Sequence, residues 1–258
     1  PTFAAFTLAR FYRRMPRSLR RRVIAPLVSA IPPSFGDLAW DFRVKKFIQG
    51  ADLPPLVQNQ VWLGAFAPAE LENLAPGLRS SKSAPSIFES TLRLAERVRG
   101  ALPLAALDYL YFKQYLADQV LVKVDRASMM HALEVRAPFL DVDLVEFVSR
   151  LPPRLKFKNF TTKYLLKKLM AGRLGADIAH RKKKGFSIPV GRWLRGPARP
   201  FLLDVLSPAA VRDTGFLDPP VVERLIVEHL DGRQDHRKKL WTLITFLLWH
   251  HRWHRPTP

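Results

Sequence analysis

Apolar residues recur at helical spacing along most of the chain, whereas stretches with the alternation of a strand are few. The clearest repeat runs over Ala101–Val122, where apolar side chains return every three or four residues and predict a long helix. Asp37–Ile48 and Thr162–Met170 predict further helices. Gln234–Trp253 is apolar on most of its faces, so we expect the last helix to be buried. The pattern favours a mostly α fold.

Polar residues and prolines mark where several of these helices begin and end. Asp141, Ser207 and Asp218 each stand before a helical pattern, in two cases directly before a proline. Such side chains cap a helix by accepting a hydrogen bond from the backbone of its first turn. The small and polar stretch Gly77–Pro85 predicts a loop.

The composition narrows the chemistry that the chain can perform. Its 258 residues are 48% hydrophobic, which is enough to build a substantial core. The sequence contains no cysteine, which excludes disulfides, thiolate metal sites and a cysteine nucleophile. Its 12 glycines form neither a dinucleotide-binding string nor a P-loop string. A self-contained phosphate-binding loop of either kind is therefore missing from the sequence.

The distribution of apolar residues does not predict a membrane segment. The longest apolar stretch, Leu240–Trp249, is about half of the ~20 residues that a membrane span needs. The N-terminal apolar residues precede their arginines, the reverse of a secretory signal. We therefore expect a cytoplasmic protein.

The formal net charge of +20 permits two interpretations. Basic clusters at Arg17–Arg22, Arg181–Lys184 and His236–Lys239 are of the type that binds a phosphate backbone. Alternatively, arginines solvate helix faces or contact an acidic neighbouring domain. No zinc-finger spacing, RNA-binding string or zipper supports the first interpretation, so nucleic acid is disfavoured as a partner. A basic helical module that binds nucleic acid or a partner protein stays open as an alternative.

Charged residues are threaded through an apolar segment in the middle of the chain. Asp125, Arg126, Glu134 and Arg136 stand among Leu, Val and Met residues, so some of them are expected to be buried. A buried charge without a partner costs several kcal/mol. The simplest interpretation is a structural network in which an arginine pairs with Glu134 or Asp125.

The same segment resembles a known family. The string Asp-Arg-Ala-Ser-Met at 125–129, followed by Leu-Glu-Val-Arg-x-Pro-Phe-Leu-Asp at 133–141, is similar to the C-terminal synthetase domain of glutamine-dependent asparagine synthetases. Three later pieces fit in order: Lys163 in a Lys-x-Leu-Leu string, an Arg-x-Lys-x-Gly-Phe-x-x-Pro loop at 181–189 with Trp193 after it, and a closing helix at 240–249. The resemblance is firm from Asp108 to Trp253.

The resemblance implies a fold and an activity. The fold would be the helical C-terminal portion of an α/β synthetase domain of the PP-loop, adenine-nucleotide-hydrolase-like type. The family uses ATP and Mg²⁺ to activate a small-molecule carboxylate, aspartate above all, as its acyl-adenylate. Ammonia released from glutamine by a separate N-terminal domain then forms the amide. A homodimer is left open.

By the same resemblance, the site residues divide into two groups. Lys183 and Glu134 are the candidate catalytic residues, with Lys183 as the cation beside the developing negative charge. The candidates for binding substrate or nucleotide are Asp125, Arg126, Arg136, Lys163 and Gly185.

The sequence also departs from the family. Its two glycine-rich strings, one for pyrophosphate and one that supplies magnesium-binding carboxylates, are absent, as is the cysteine-dependent glutaminase domain. We therefore expect residues 1–258 to be a partial synthetase domain, truncated at its N-terminus and inactive alone. A related amidotransferase that acts on a different carboxylate is a second hypothesis.

The C-terminal histidines do not predict a metal site. His250 and His254 are four residues apart, a spacing that can hold a metal, but no acidic residue or cysteine lies near them in the sequence. They also suit the negative end of a helix.

Overall fold

A computed structural model describes residues 2–35, 40–77, 87–181 and 188–254, with the side chains described from residue 4 onward. The chain divides into two compact units. Unit 1 contains residues 1–8 and 88–184, and unit 2 contains residues 9–87 and 185–258. Most described residues are helical, as the sequence predicts.

The helices and strands follow in chain order. The first part comprises α1 (Thr2–Arg14), α2 (Arg17–Leu19), a π-helical turn (Arg20–Ile24), α3 (Ala25–Ser29), α4 (Trp40–Ala51), α5 (Pro55–Leu63) and α6 (Pro68–Leu74). Unit 1 then adds α7 (Glu89–Glu96), α8 (Pro103–Leu110), a π-helical segment (Tyr111–Leu121), α9 (Val122–Met129), a 3₁₀ turn (Pro138–Leu140), α10 (Val142–Arg150), α11 (Pro153–Lys156), β1 (Phe157–Lys158), β2 (Thr161–Thr162), α12 (Tyr164–Leu174) and α13 (Ala176–Ala179). Unit 2 closes with α14 (Val190–Arg195), α15 (Arg199–Val205), α16 (Pro208–Asp213), α17 (Pro219–Leu230) and α18 (Arg237–Trp253).

The three predicted helix caps are confirmed. The Asp141 carboxylate accepts a hydrogen bond from the backbone N–H of Leu144 at 3.1 Å. Ser207 and Asp218 accept the corresponding bonds in α16 and α17 at 3.4 Å each. Each of these helices therefore begins where its cap and the residues after it predict.

A hydrophobic core lies in unit 2, among α6 and the five helices α14–α18. Its central side chains are fully or almost fully buried: Leu194, Leu202, Val211, Val222, Leu240 and Ile244. Burying side chains of this size stabilises the fold by about 1.5–3 kcal/mol each.

The last helix is buried on one face, not on most of its faces. Leu240, Leu243, Ile244 and Leu247 enter the core, but Trp249 is half exposed and Trp253 more so. The expectation of a helix buried on most faces is therefore wrong, because α18 packs on one side of unit 2 as an amphipathic helix does. Among the described residues, no helix combines the length and the apolar character that crossing a membrane requires.

Unit 1 is built on the predicted long helix, which is continuous over residues 103–129. Its first turns supply the buried apolar residues Ala106, Leu107 and Leu110. No residue from 111 to 181 is buried, although this stretch contains many large apolar side chains. The part of unit 1 that carries the family strings is therefore an open surface.

A tight hairpin leads into α12. β1 and β2 pair antiparallel, with Lys158 opposite Thr161, so Asn159 and Phe160 form a two-residue loop. Both loop residues have positive φ, 47° and 59°, as the favoured hairpin turn with matching twist requires. The hairpin fixes the position from which α12 begins.

Candidate functional site

Asp125 and Arg126 lie on α9, near the end of the long helix. Both side chains are exposed. The helix ends within a few residues, where the backbone N–H groups of His131 and Leu133 both donate to the carbonyl of Ser128. Ala132 lies in this turn in the left-handed conformation, with φ 54°. The turn sends the chain from α9 toward Glu134.

Glu134 and Arg136 form an ion pair, as one of the predicted pairings requires. The expectation that charges in this segment are buried is wrong, because the two side chains are 67% and 87% exposed. An exposed pair gains little because water screens it, typically less than 1 kcal/mol. The pair therefore stands on the surface of unit 1, where its charged groups can reach a ligand.

Lys163 occupies the residue before α12 and adopts the left-handed conformation, with φ 57°. Its carbonyl accepts the first hydrogen bond of the helix from the N–H of Lys167 at 2.9 Å. The side chain is exposed. The hairpin and the helix start thus hold the backbone of Lys163, while its ammonium group remains at the surface.

The other predicted site residues are not joined to Lys163. Within the described part of the chain, no hydrogen bond or ion pair connects Lys163 with Asp125, Arg126, Glu134 or Arg136. Lys183 and Gly185 lie outside the described residues. The roles predicted for Lys183 and Gly185 therefore stay predictions.

One contact of unit 1 was missed by sequence reasoning. The Nζ atom of Lys156 lies 3.2 Å from a carboxylate oxygen of Asp108, which starts the firm resemblance. Burial raises the pKa of Asp108, and the charge of Lys156 opposes this rise. The residues are 48 positions apart, so no local pattern could have paired them.

The described residues do not fit the magnesium site that the resemblance implies. They contain no group of three or more His, Asp or Glu side chains arranged to hold a metal ion. His250 and His254 stack their rings with centroids 5.5 Å apart.

A second charged cluster lies in unit 2, within α4, α6 and the start of α18. Four lysines line a single cavity there: Lys45, Lys46, Lys238 and Lys239. The sequence indicated the basic cluster at His236–Lys239 but not its partners on α4. The adjacent Lys45 and Lys46 on α4 could have indicated these partners. Only the fold, however, brings them beside Lys238 and Lys239.

Comparison with known proteins gives one consistent family. The family model for asparagine synthase matches residues 9–251. A Mycobacterium tuberculosis protein, proposed to be a glutamine-hydrolysing asparagine synthetase, is 34% identical over 192 residues, 72% of this chain and 28% of that protein. The glutamine-hydrolysing asparagine synthetase 1 of Bacillus subtilis is 31% identical over 144 residues, 56% of this chain and 22% of that protein.

An amidase of Gibberella zeae is also similar, with 28% identity over 123 residues, 45% of this chain and 18% of the amidase. No solved structure gives a significant match to the chain. The chain spans about a quarter of the length of the synthetase relatives it matches. Because the family model covers most of the 258 residues, the chain belongs to the asparagine synthase family.

Proposed function

We propose that this chain is the helical C-terminal part of an ATP-dependent, glutamine-using amidotransferase that converts aspartate to asparagine. In the first step the carboxylate attacks the α-phosphate of ATP, forming an acyl-adenylate and releasing pyrophosphate. Ammonia then attacks the acyl carbon, and AMP leaves as the amide forms. Both steps build negative charge on oxygen, which fixed cations stabilise. The protein would act in the cytoplasm.

The residue roles in this proposal follow from charge and placement. Arg126, Arg136 and Lys163 carry exposed cationic groups suited to phosphate, and the planar guanidinium groups can bind two oxygens at once. Glu134 and Asp125 would position the amino acid or the incoming ammonia. Lys183 would neutralise charge at the reacting phosphate, and Gly185 would allow the backbone to come close.

The observation that carries the proposal is the family match over residues 9–251, which includes every one of these positions. The exposure of the Glu134–Arg136 pair adds support, because an ion pair buried in the protein would be out of reach of a ligand. The names of the Mycobacterium and Bacillus relatives favour glutamine as the source of ammonia.

We further propose that the nucleotide loops and the glutaminase are supplied by family sequence outside these 258 residues. The two glycine-rich strings of the family are not in the sequence. Mg²⁺ would be held with ATP by those loops. On this proposal the 258-residue chain alone is inactive.

The test is aspartate-dependent exchange between ATP and labelled pyrophosphate. It compares the 258-residue chain with the whole product of the gene that encodes it. We expect exchange and asparagine formation from the gene product, and loss of both on Lys183→Ala. Exchange by the 258-residue chain would overturn the proposal that the chain alone is inactive. A gene product that folds but shows no carboxylate-dependent exchange would overturn the proposed function.

A second candidate is an amidotransferase of the same family that acts on another carboxylate. The similarity to the Gibberella amidase favours it, because that relative is not named an asparagine synthetase. A panel of carboxylates in the same exchange assay separates the two candidates: exchange with another acid but not with aspartate would favour the second.

The basic binding module is tested separately. A gel-shift titration with DNA and RNA across a range of salt measures phosphate-backbone binding, which weakens steeply as salt rises. Absence of binding at low salt would end the nucleic-acid alternative.

A further inference from the structure

The lysine cavity of unit 2 has a volume of about 110 Å³. That is room for several water molecules, and so for an ion of phosphate size. Its walls come from α4, from Pro33, Ala65 and Glu70, and from residues on both sides of the start of α18: Gln234, Asp235, His236, Lys238 and Lys239. None of the family strings in unit 1 contributes to it.

Three of the four lysines have only backbone partners among the described residues. Lys45 donates to the carbonyl of Ile31 at 2.7 Å, Lys46 to that of Ala65 at 3.4 Å, and Lys238 to that of Leu63. No carboxylate of the described chain lies within ion-pair distance of these three. An ammonium group has three N–H donors, so each lysine keeps donors for a ligand.

The carboxylates at the cavity are largely engaged. Glu70 pairs with Lys239 at 2.7 Å and also accepts from the backbone N–H of Ala67. Asp235 pairs with Arg237, whose Nε donates at 2.6 Å. Asp41 accepts from the backbone N–H of Ser34 at 3.1 Å.

The charges at this site do not balance. Four lysines and the three carboxylates of Asp41, Glu70 and Asp235 line the cavity, which leaves a surplus of one positive charge. His236 lines the cavity as well, with its Nε2 2.5 Å from Glu228, and burial lowers its pKa. Burial, together with the charges of Lys238 and Lys239 and against that of Glu70, lowers the pKa of Lys46 to about 8. Half-buried cations crowded in this way favour a compensating anion.

We propose that this cavity binds a small oxyanion of the phosphate type, held by the ammonium groups of Lys45, Lys46 and Lys238. An anion offsets the surplus of positive charge, and a tetrahedral ion offers acceptors to three separate donors. The ligand would be free phosphate or the phosphate group of a small phosphomonoester. The residues of this cavity are distinct from the candidate catalytic and binding residues of the synthetase reaction proposed above.

Isothermal titration of the 258-residue chain with inorganic phosphate and with sulfate tests the site. Sulfate keeps its charge at neutral and alkaline pH, so a change in its affinity reports the protein alone. We expect sulfate to bind at about pH 7 and to lose affinity above about pH 8, where Lys46 gives up its proton. Near pH 8 binding should take up protons, which titrations in buffers of different ionisation enthalpy measure.

Variants separate the cavity from the general positive charge of the chain. Lys46→Met should weaken sulfate and phosphate binding roughly tenfold or more, and Lys46→Arg should restore much of it. Arg224→Met removes the same charge from an exposed position of α17 and should leave the affinity unchanged. Because Lys46 is half-buried among like charges, Lys46→Met is expected to fold, which circular dichroism and thermal melting check.

Three results would overturn the proposal: no saturable binding of either ion at low salt, equal loss of affinity in Lys46→Met and Arg224→Met, or tighter binding of the dicarboxylate succinate than of phosphate. Comparing inorganic phosphate with glycerol phosphate and ribose phosphate distinguishes the two sources. Tighter binding of an ester supports a metabolite's phosphate group, and exclusion of the esters supports the free ion.

Discussion

Lys156 and Asp108 form a half-buried ion pair at 3.2 Å, which ties α11 to the long helix of unit 1. The two residues lie 48 positions apart, so the pair closes a long segment that contains the Asp-Arg-Ala-Ser-Met and Leu-Glu-Val-Arg strings. None of residues 111–181 is fully buried. We therefore expect this ion pair to contribute more to the stability of the segment than it would in a well-packed domain.

A double-mutant cycle of Asp108→Asn and Lys156→Met should give a coupling free energy of about 0.5–1 kcal/mol, because the carboxylate is partly desolvated. Urea unfolding followed by circular dichroism measures it. The matched control is the Glu146–Arg150 pair on α10, at 3.0 Å but well exposed, for which we expect only a few tenths of a kcal/mol. Equal coupling in the two cycles would show that burial adds nothing at Asp108.

The left-handed conformation of Lys163 predicts an unusual substitution. The left-handed conformation destabilises a residue with a Cβ by about 1–2 kcal/mol. Glycine adopts it without that strain but loses more chain entropy on folding. Lys163→Gly should therefore raise the free energy of unfolding by about 0.5–1 kcal/mol, measured in urea. In the whole gene product the same change should lower kcat/KM for ATP, if the ammonium group binds phosphate.

Lys168→Gly is the control for this substitution. Lys168 is an exposed residue in the interior of α12, where the conformation is right-handed. Glycine there should lower the free energy of unfolding by about 1 kcal/mol. A loss of stability in both variants would contradict the assigned backbone role of Lys163.

Local patterns predicted the local structure well. Asp141, Ser207 and Asp218 cap helices because the hydrogen bond of a cap lies within three residues of the chain. The long helix could be predicted equally well, since its apolar residues repeat at helical spacing over several turns. Its π-helical middle at Tyr111–Leu121 left no signal in the sequence that we can identify.

Burial and contacts between residues distant in the sequence could not be predicted from local patterns in the same way. The apolar residues around Glu134 predicted a buried network, but whether a segment is covered depends on what packs against it, and nothing described does so here. Lys46 and Lys238 share a cavity although 192 residues of sequence position separate them. No periodicity in the sequence indicates that two such distant residues lie together.

The open surface of unit 1 predicts dye binding. Met130, Phe139 and Phe147 are 83%, 70% and 58% exposed. Large exposed apolar areas bind hydrophobic probes. Changing all three to serine should reduce the fluorescence of the probe ANS and alter the free energy of unfolding by less than about 0.5 kcal/mol per residue.

The buried Leu107→Ala is the contrasting variant, because it removes a fully covered side chain of α8. It should cost about 2–5 kcal/mol. If the serine variant were destabilised to a similar extent, the three side chains would be packed and not exposed.

His229 predicts a loss of stability in mild acid. Its side chain is fully buried, and its Nδ1 accepts the backbone N–H of His236 at 3.2 Å. Burial lowers the pKa of His229 from 6.5 to about 4, although Asp235 opposes this. Between these two values the unfolded chain binds more protons than the folded chain, so stability falls as the pH falls from about 6.5 to about 4. The contribution is up to about 3 kcal/mol, and it is fully present above about pH 6.5.

His229→Asn should remove much of this acid-induced loss, because asparagine does not titrate and its side-chain oxygen can still accept the N–H of His236. The free energy of unfolding in urea, measured at several pH values between about 4 and about 7, gives the slope for each protein. His251→Asn changes an exposed histidine of α18 and should keep the wild-type slope. The residual slope of the His229 variant should come in part from His236, whose pKa is also lowered by burial. An unchanged slope in His229→Asn would mean that His229 is protonated in the folded protein, and that Asp235 outweighs its burial.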